Sequence, residues 1–404
     1  MSQSLTLSSQ ARLVLVLNVL YNVADALCSV FVGVYFYVHS MRFEVVCYHY
    51  LALYAVTPAV YLFSGWCAQR FDRLHVFRIG VGFHALYYGA LLWMREGATD
   101  HPVALGALLG VAWGFFWAGN NTFNYDAVEA PQRDYFFGWL NAVTGASRFG
   151  APAVSALIMW RIPEEEKGYY VLFALAVGLY LLSILASAGI TRDSRGRPFN
   201  LRRALFPGRD QRDWRLVMAA SATQAGSFHI FYFVLGLAMY MKTENAALVG
   251  VYTALQFMAG IIVSYMVGRT VRPESRLRSM RISVTLLMGA ALMIASLLNA
   301  WTLVLFGILR SIALPMFMIP YSSIRLDIID RSASEPAERI EYMCASEVPL
   351  AGGRVVMMVL LLVLVGGLGE LGMRIGLFLL CANSIFSYLL IRRTSVVQSG
   401  PPVV

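Results

Sequence analysis

Long apolar stretches broken by short clusters of charged residues recur along the whole chain. Twelve such windows can be marked, at 13–38, 46–69, 75–94, 103–125, 135–160, 168–191, 216–241, 246–268, 280–299, 301–323, 343–366 and 371–391. A helix needs about 20 apolar residues to cross ~30 Å of hydrocarbon, and each window is of that order. The pattern predicts an all-α integral membrane protein with twelve transmembrane helices. Composition removes the soluble alternative: of 404 residues 58% are hydrophobic and 14% charged, and the mean hydropathy is +0.63. Too little polar surface is left to coat a soluble core.

The charged breaks set an orientation. With the N-terminus inside, the inner breaks hold 23 basic residues and the outer breaks six, Arg42, Arg95, Arg161, Lys167, Lys242 and Arg374. Cytoplasmic loops retain Lys and Arg, so both termini are expected in the cytoplasm of a multi-pass protein of a plasma membrane. The net charge of +9 then meets anionic lipid headgroups and calls for no nucleic acid. Cys28, Cys47, Cys67, Cys344 and Cys381 lie in or beside windows and form no C-x-x-C pair, so free thiols are expected, with no metal site and no cofactor. The first window lacks a small-residue cleavage pattern and reads as a retained helix.

The longest polar stretch, Thr191 to Arg215, divides the windows six and six. The expected organisation is a lobe at 1–191, a basic cytoplasmic linker at 192–215 and a lobe with a short tail at 216–404. The halves echo each other: Asp126 and then Arg133-Asp134-Tyr135 correspond to Asp327 and then Arg339-Ile-Glu341-Tyr342. A lone arginine follows in each next window, Arg148 being 13 residues after Tyr135 and Arg354 being 12 after Tyr342. Internal repetition of this kind marks two-lobed transporters, whose substrate site lies between the lobes near mid-bilayer.

At this point the residues resemble a family. Gly65-Trp-Cys-Ala-Gln69-Arg70-Phe-Asp72-Arg73 resembles the Gly-x-x-x-Asp-Arg-x-Gly-Arg loop of the major facilitator superfamily, with Gln69 where an Asp is usual and Asp72 where a Gly is usual. Asn124-Tyr-Asp126, Gln132-Arg133-Asp134-Tyr-Phe-Phe-Gly138, Glu341-Tyr342 to Glu347 and Gly352-Gly353-Arg354 together look like the YqgE group within it. The resemblance covers nearly the whole chain. It implies a bacterial inner-membrane protein, expected as a monomer, that moves a small solute by rocking two lobes, and it leans to efflux. It also implies a gating network of inter-helix charges formed by Arg70, Arg73, Asp126, Arg133, Asp134, Asp327, Glu347 and Arg354.

The polar residues inside the windows carry the candidate chemistry. Asn18, Asn22, Asp25 and Ser29 recur at spacings of four, three and four, on one face of the first helix. Asp25 lies near the bilayer centre, where an isolated charged carboxylate is strongly disfavoured. It is the proton-coupling candidate; a structural Asp permanently paired with an arginine is the alternative. Arg148, Arg310 and Arg354 sit equally deep and cannot shed their charge. Three cations against one anion at that depth lean toward an anionic substrate, with Arg148 and Arg310 as its candidates, unless Glu347 and Asp126 supply fixed counter-charges. In the fourth window Gly106, Gly110 and Gly114 form a small-residue seam for close helix packing. Trp113, Trp117, Asn120 and Asn124 suit a wet cavity that holds an organic ligand, although aromatic core packing would use the same residues. The seventh window offers Ser221, Gln224, Phe228 and Tyr232, with His229 nearby.

Several motifs are set aside. Gly367-Leu-Gly369-Glu-Leu-Gly372 fits a dinucleotide pattern but falls between two windows with no strand before it. Glu164-Glu165-Glu166 reads as a solvated turn. Neither a Walker A loop nor H-E-x-x-H nor a nucleophile constellation is present, so an enzyme is not expected. The expectation is a proton-coupled secondary transporter of a small organic solute, with Asn22, Trp113, Trp117, Asn120, Asn124, Arg148, Gln224 and Arg310 as substrate contacts. Two alternatives remain: efflux of lipophilic cations or neutral compounds with Asp25 reading the charge, and a non-transporting receptor or scaffold.

Overall fold

The computed structural model describes residues 7–126, 133–190, 201–225, 229–333 and 338–398. Among the described residues all regular structure is helical. The first half holds α1 (Ser9–Ser40), α2 (Phe43–Arg70), α3 (Arg73–Met94), α4 (Pro102–Asp126), α5 (Arg133–Arg161) and α6 (Glu165–Ala186). The second holds a short α7 (Arg202–Leu205), then α8 (Arg212–Gln224), α9 (His229–Thr243), α10 (Ala246–Thr270), α11 (Arg276–Ser296), α12 (Ala300–Ser332), α13 (Arg339–Ile391) and a short α14 (Ser395–Gln398). Eight helices among the described residues are long and apolar enough to cross a membrane.

Polar residues in the breaks start several of these helices by satisfying their first backbone N–H groups. Ser8 Oγ accepts from Ala11 N at 3.1 Å, Asp72 Oδ1 from Leu74 N at 2.9 Å and Asn245 Oδ1 from Leu248 N at 3.1 Å. Asn299 and Thr302 cap each other's backbone at the start of α12. The glycine seam of α4 lies against α2 as expected. A Cβ on Gly106 would fall 2.1 Å from the His49 carbonyl oxygen, and one on Gly110 would fall 2.9 Å from that of Leu53.

Two elements differ from the sequence reading, while the last two windows keep to it: they are two helical arms of α13 separated by non-helical backbone at Gly369 (φ 55°), so that Gly372 returns against the Leu364 carbonyl. That region of φ is open to glycine, which explains the glycine-rich turn without a nucleotide. α12 runs nine residues past the predicted end at 323, to Ser332. Arg325 and Asp327 end the hydropathy window, yet Ile324, Ile328 and Ile329 continue the buried stripe at about 1% exposure each. Finally, α8 begins at Arg212, inside the predicted linker. Trp214 is fully buried and its Nε1 donates to the Ala204 carbonyl at 2.8 Å, while Gln211 Nε2 donates to Tyr342 Oη at 2.6 Å. Residues 201–215 are thus packed into the second half; residues 191–200 of the predicted linker lie outside the described residues.

Helices of the two halves meet along three seams, α1 with α9, α2 with α13 and α5 with α10. Pairs at the polar ends show which ends share a face. Arg78 at the start of α3 donates to Ser187, just after α6, and Gly189 lies against Leu13 of α1. Asp213 at the start of α8 accepts from Ser395, which follows α13. This is the face of the helix starts of α1, α3 and α8; the ends of α1 and α9 mark the opposite, far face.

Candidate functional site

Where the three seams converge, the helices leave three adjoining chambers of about 90, 290 and 690 Å³. Arg148 of α5 lines all three. The smallest chamber pairs it with Asp25 and Ser29 of α1 and surrounds them with Tyr21, Tyr50, Tyr54, Trp113, Trp117, Phe233 and Phe257. Asp25 and Arg148 share this chamber, and among the described residues no direct ion pair joins them. The middle chamber adds Arg325 and Arg354, Glu347, Gln224 and a set of hydroxyls. The largest opens between α5, α10 and α12 and takes Arg310, Gln256 and Ser264 on a mainly apolar wall.

These chambers gather most of the deep residues that the sequence singles out. Asp25, Trp113, Trp117, Arg148, Gln224, Arg310, Glu347 and Arg354 all line them. Arg310 is 5% exposed and its guanidinium carbon stands 4.7 Å from the Phe231 ring centroid. Arg354 stands 5.7 Å from the Tyr54 ring centroid and reaches Glu347 only at 3.9 Å. Gln224 Nε2 lies 2.7 Å from the Met318 sulfur.

Other expected contacts are used elsewhere. Asn124 Oδ1 accepts from Asn18 Nδ2 at 2.8 Å, tying α4 to α1, and Asn22 Nδ2 donates to the Asn18 carbonyl at 2.7 Å. Asn120 is 6% exposed and its Oδ1 is buried without a hydrogen-bond partner. None of Asn22, Asn120 and Asn124 is among the residues lining the chambers. Asn121 lines the middle chamber instead and donates from Nδ2 to Tyr61 Oη at 3.1 Å. Residues four apart stack along a helix, so the row through Trp113 and Trp117 continues to Asn121, not to Asn120. That spacing was the available signal.

Of the expected charge network, Glu347 and Arg354 approach each other to 3.9 Å, Asp327 pairs with Arg276 at 2.7 Å, and Arg70 is exposed and lies over Trp66. Arg73 begins α3 away from the chambers. The side chains of Asp126, Arg133 and Asp134 lie outside the described residues. Sequence reasoning missed Arg325, which it counted as a loop residue because the hydropathy window ends before it. It also missed Glu165: read as part of a solvated turn, this residue accepts from Tyr240 Oη at 2.9 Å and from Ala246 N at 3.2 Å, bridging α6 to α9 and α10. Its neighbours are solvated as expected, although Glu166 already belongs to α6: Glu164 pairs with Lys167 and Glu166 accepts from Tyr170. Around Glu165 the far face is closed. Tyr50 of α2 stacks across the halves on Phe233 of α9 with ring centroids 3.7 Å apart.

The model of the major facilitator superfamily matches residues 18–334. The chain belongs to this superfamily. It is similar to the uncharacterized protein YqgE of Bacillus subtilis strain 168, 28% identical over 352 residues that cover 87% of this chain and 81% of that protein. Among solved superfamily-like folds, a crystal structure of a peptide transporter matches with TM-score 0.75 at 11% identity, covering 97% of this chain and 95% of the other. The nucleoside transporter NupG matches with TM-score 0.71 at 12% identity, covering 95% and 99%. At such identities the two structures are likenesses of fold alone. The protein is a membrane transporter of the major facilitator type, not an enzyme, and such a transporter takes a small-molecule substrate in a lipid environment.

Proposed function

We propose that the protein is a secondary active transporter of a small organic solute, with twelve membrane-spanning helices arranged as two six-helix lobes and with both termini in the cytoplasm. The lobes are 1–191 and 216–404. The single observation that carries this reading is that Asp25 and Arg148 line one small chamber at the junction of the halves without a direct ion pair. A carboxylate and a guanidinium left in that relation can each exchange partners, the carboxylate for a proton and the guanidinium for a substrate anion. In this reading Asp25 couples transport to protons, and Arg148 and Arg310 meet an anionic moiety. The closed far face then corresponds to a state open toward the cytoplasm. Efflux across a bacterial inner membrane is the direction favoured by the superfamily resemblance.

A second reading has support of its own. Seven aromatic rings surround Asp25 in the smallest chamber, and such walls attract lipophilic cations. One experiment separates the two. Proteoliposomes loaded with a pH-sensitive dye are challenged with matched anionic, cationic and neutral aromatic solutes under an imposed pH gradient. Solute-dependent proton movement lost in Asp25→Asn supports coupling, and its dependence on Arg148 assigns the anion reading. Proton movement with cations alone, intact in Arg148→Ala, assigns the cation reading. Unaltered flux in Asp25→Asn contradicts the coupling role.

A further inference from the structure

We infer that the middle chamber is an oxyanion subsite, in which Arg325 and Arg354 hold the carboxylate or phosphate of an aromatic organic anion whose ring lies against Trp113 and Trp117. This rests on the transport reading above and deepens it by assigning the charged group to residues other than Arg310.

The charge count comes first. Among its described lining residues the chamber has three guanidinium groups, Arg148, Arg325 and Arg354, and one carboxylate, Glu347. Arginine keeps its charge in any protein environment, so about 290 Å³ of cavity carries an excess of two positive charges. Charges at this depth are stabilised by an anion or by water in the cavity.

The geometry comes second. Arg354 has a side chain only 5% exposed, held over Tyr54 on one side and reached by Glu347 at 3.9 Å. Its Nε is buried with no hydrogen-bond partner, and so is the Nε of Arg325. A buried N–H without an acceptor is costly, and an oxyanion held in the chamber that both side chains line, Arg325 from α12 and Arg354 from α13, gives their guanidinium groups charge-assisted acceptors. Ser221 and Tyr321, bonded to each other at 2.8 Å, add neutral hydroxyls to the same wall.

The apolar wall comes third. Trp113 and Trp117 line both the middle and the smallest chamber, so a ring lying against them leaves its charged group facing Arg325 and Arg354. Glu347 is then the internal anion: its loose contact with Arg354 is the one an incoming oxyanion replaces.

The test uses the full-length protein in detergent, with thermal unfolding followed against 1-naphthoate, 1-naphthyl phosphate, neutral 1-naphthamide and cationic 1-naphthylmethylammonium. A ligand that binds the folded state raises the midpoint with concentration. The expected result is stabilisation by at least one of the two anions and not by the amide or the cation, with apparent affinity reduced tenfold or more in both Arg325→Gln and Arg354→Gln. Arg325→Lys retains part of the affinity, Glu347→Gln tightens binding several-fold, and Arg276→Gln, outside the chamber, leaves it unchanged. Naphthoate against naphthyl phosphate identifies the head group. Preference for the cation, no stabilisation by either anion, or anion binding undiminished in monodisperse Arg325→Gln and Arg354→Gln overturns the subsite. Asp25-dependent flux that survives both glutamine variants would remove the subsite and leave transport standing. Anion binding with no flux of any solute would do the reverse.

Discussion

Asp25 on α1 and Arg148 on α5 face the same small chamber without forming an ion pair. Opposite charges that stop short of contact, at the meeting of two halves of a transporter fold, leave each group available to a second partner. Replacing Asp25 with Asn keeps shape and removes the exchangeable charge. Gradient-driven flux in proteoliposomes is expected to fall to background in Asp25→Asn, while solute-for-solute exchange persists. Flux at a fixed solute gradient should also lose its dependence on the imposed pH gradient in this variant.

Glu165 joins α6 to α9 and α10 through Tyr240 and the Ala246 N–H. Hydrogen bonds to a charged group contribute about 1.5–3 kcal/mol, which corresponds to roughly a tenfold or larger shift between two conformations. Glu165→Ala is expected to populate a form open at the far face. Distance distributions between spin labels at the ends of α1 and α9 should gain a longer component, and an unchanged distribution would show that Tyr50 and Phe233 suffice to hold the face closed.

The α2–α4 seam has no room for side chains at its closest point. Gly106→Val would drive atoms into the His49 carbonyl and is expected to lower stability by about 1–3 kcal/mol or more. Gly289→Ala, with open space around it, serves as the control and should leave thermal unfolding unchanged or slightly raised.

Asn124 distinguishes a structural from a binding role. Asn124→Ala leaves the buried Asn18 side chain short of a partner, at a cost of about 1–3 kcal/mol. The melting temperature should drop while the KM for transported solute stays at the wild-type value. Asn121→Ala, in the chamber wall, should show the opposite pattern.

The extent to which the site could be read from sequence follows from what each signal measures. Hydropathy averages over about 20 residues, so it located the helices well and lost Arg325, where charges end the window although the isoleucine stripe continues. Rarity of charge within the windows marked Asp25, Arg148, Arg310 and Arg354, and all four line the chambers. Rotation about a helix axis is a finer matter, because a shift of one residue turns a side chain by about 100°. For this reason Asn121 took the place expected for Asn120 and Asn124. Glu165 was hidden by its neighbours: a run of three glutamates looks uniformly solvated, and only the approach of α9 and α10 separates the middle one.

The central claim is that one cavity is reached in turn from both sides of the membrane. With Cys28, Cys47, Cys67, Cys344 and Cys381 replaced, Ser29→Cys places a single thiol in the smallest chamber. Reaction with a membrane-impermeant maleimide is measured from each side of proteoliposomes of known orientation, in the wild-type background and with Glu165→Ala. The account predicts labelling from both sides, with Glu165→Ala raising the rate from the far face and lowering it from the other. Labelling from one side only, unmoved by Glu165→Ala or by solute gradients, would contradict alternating access and favour a fixed receptor or scaffold.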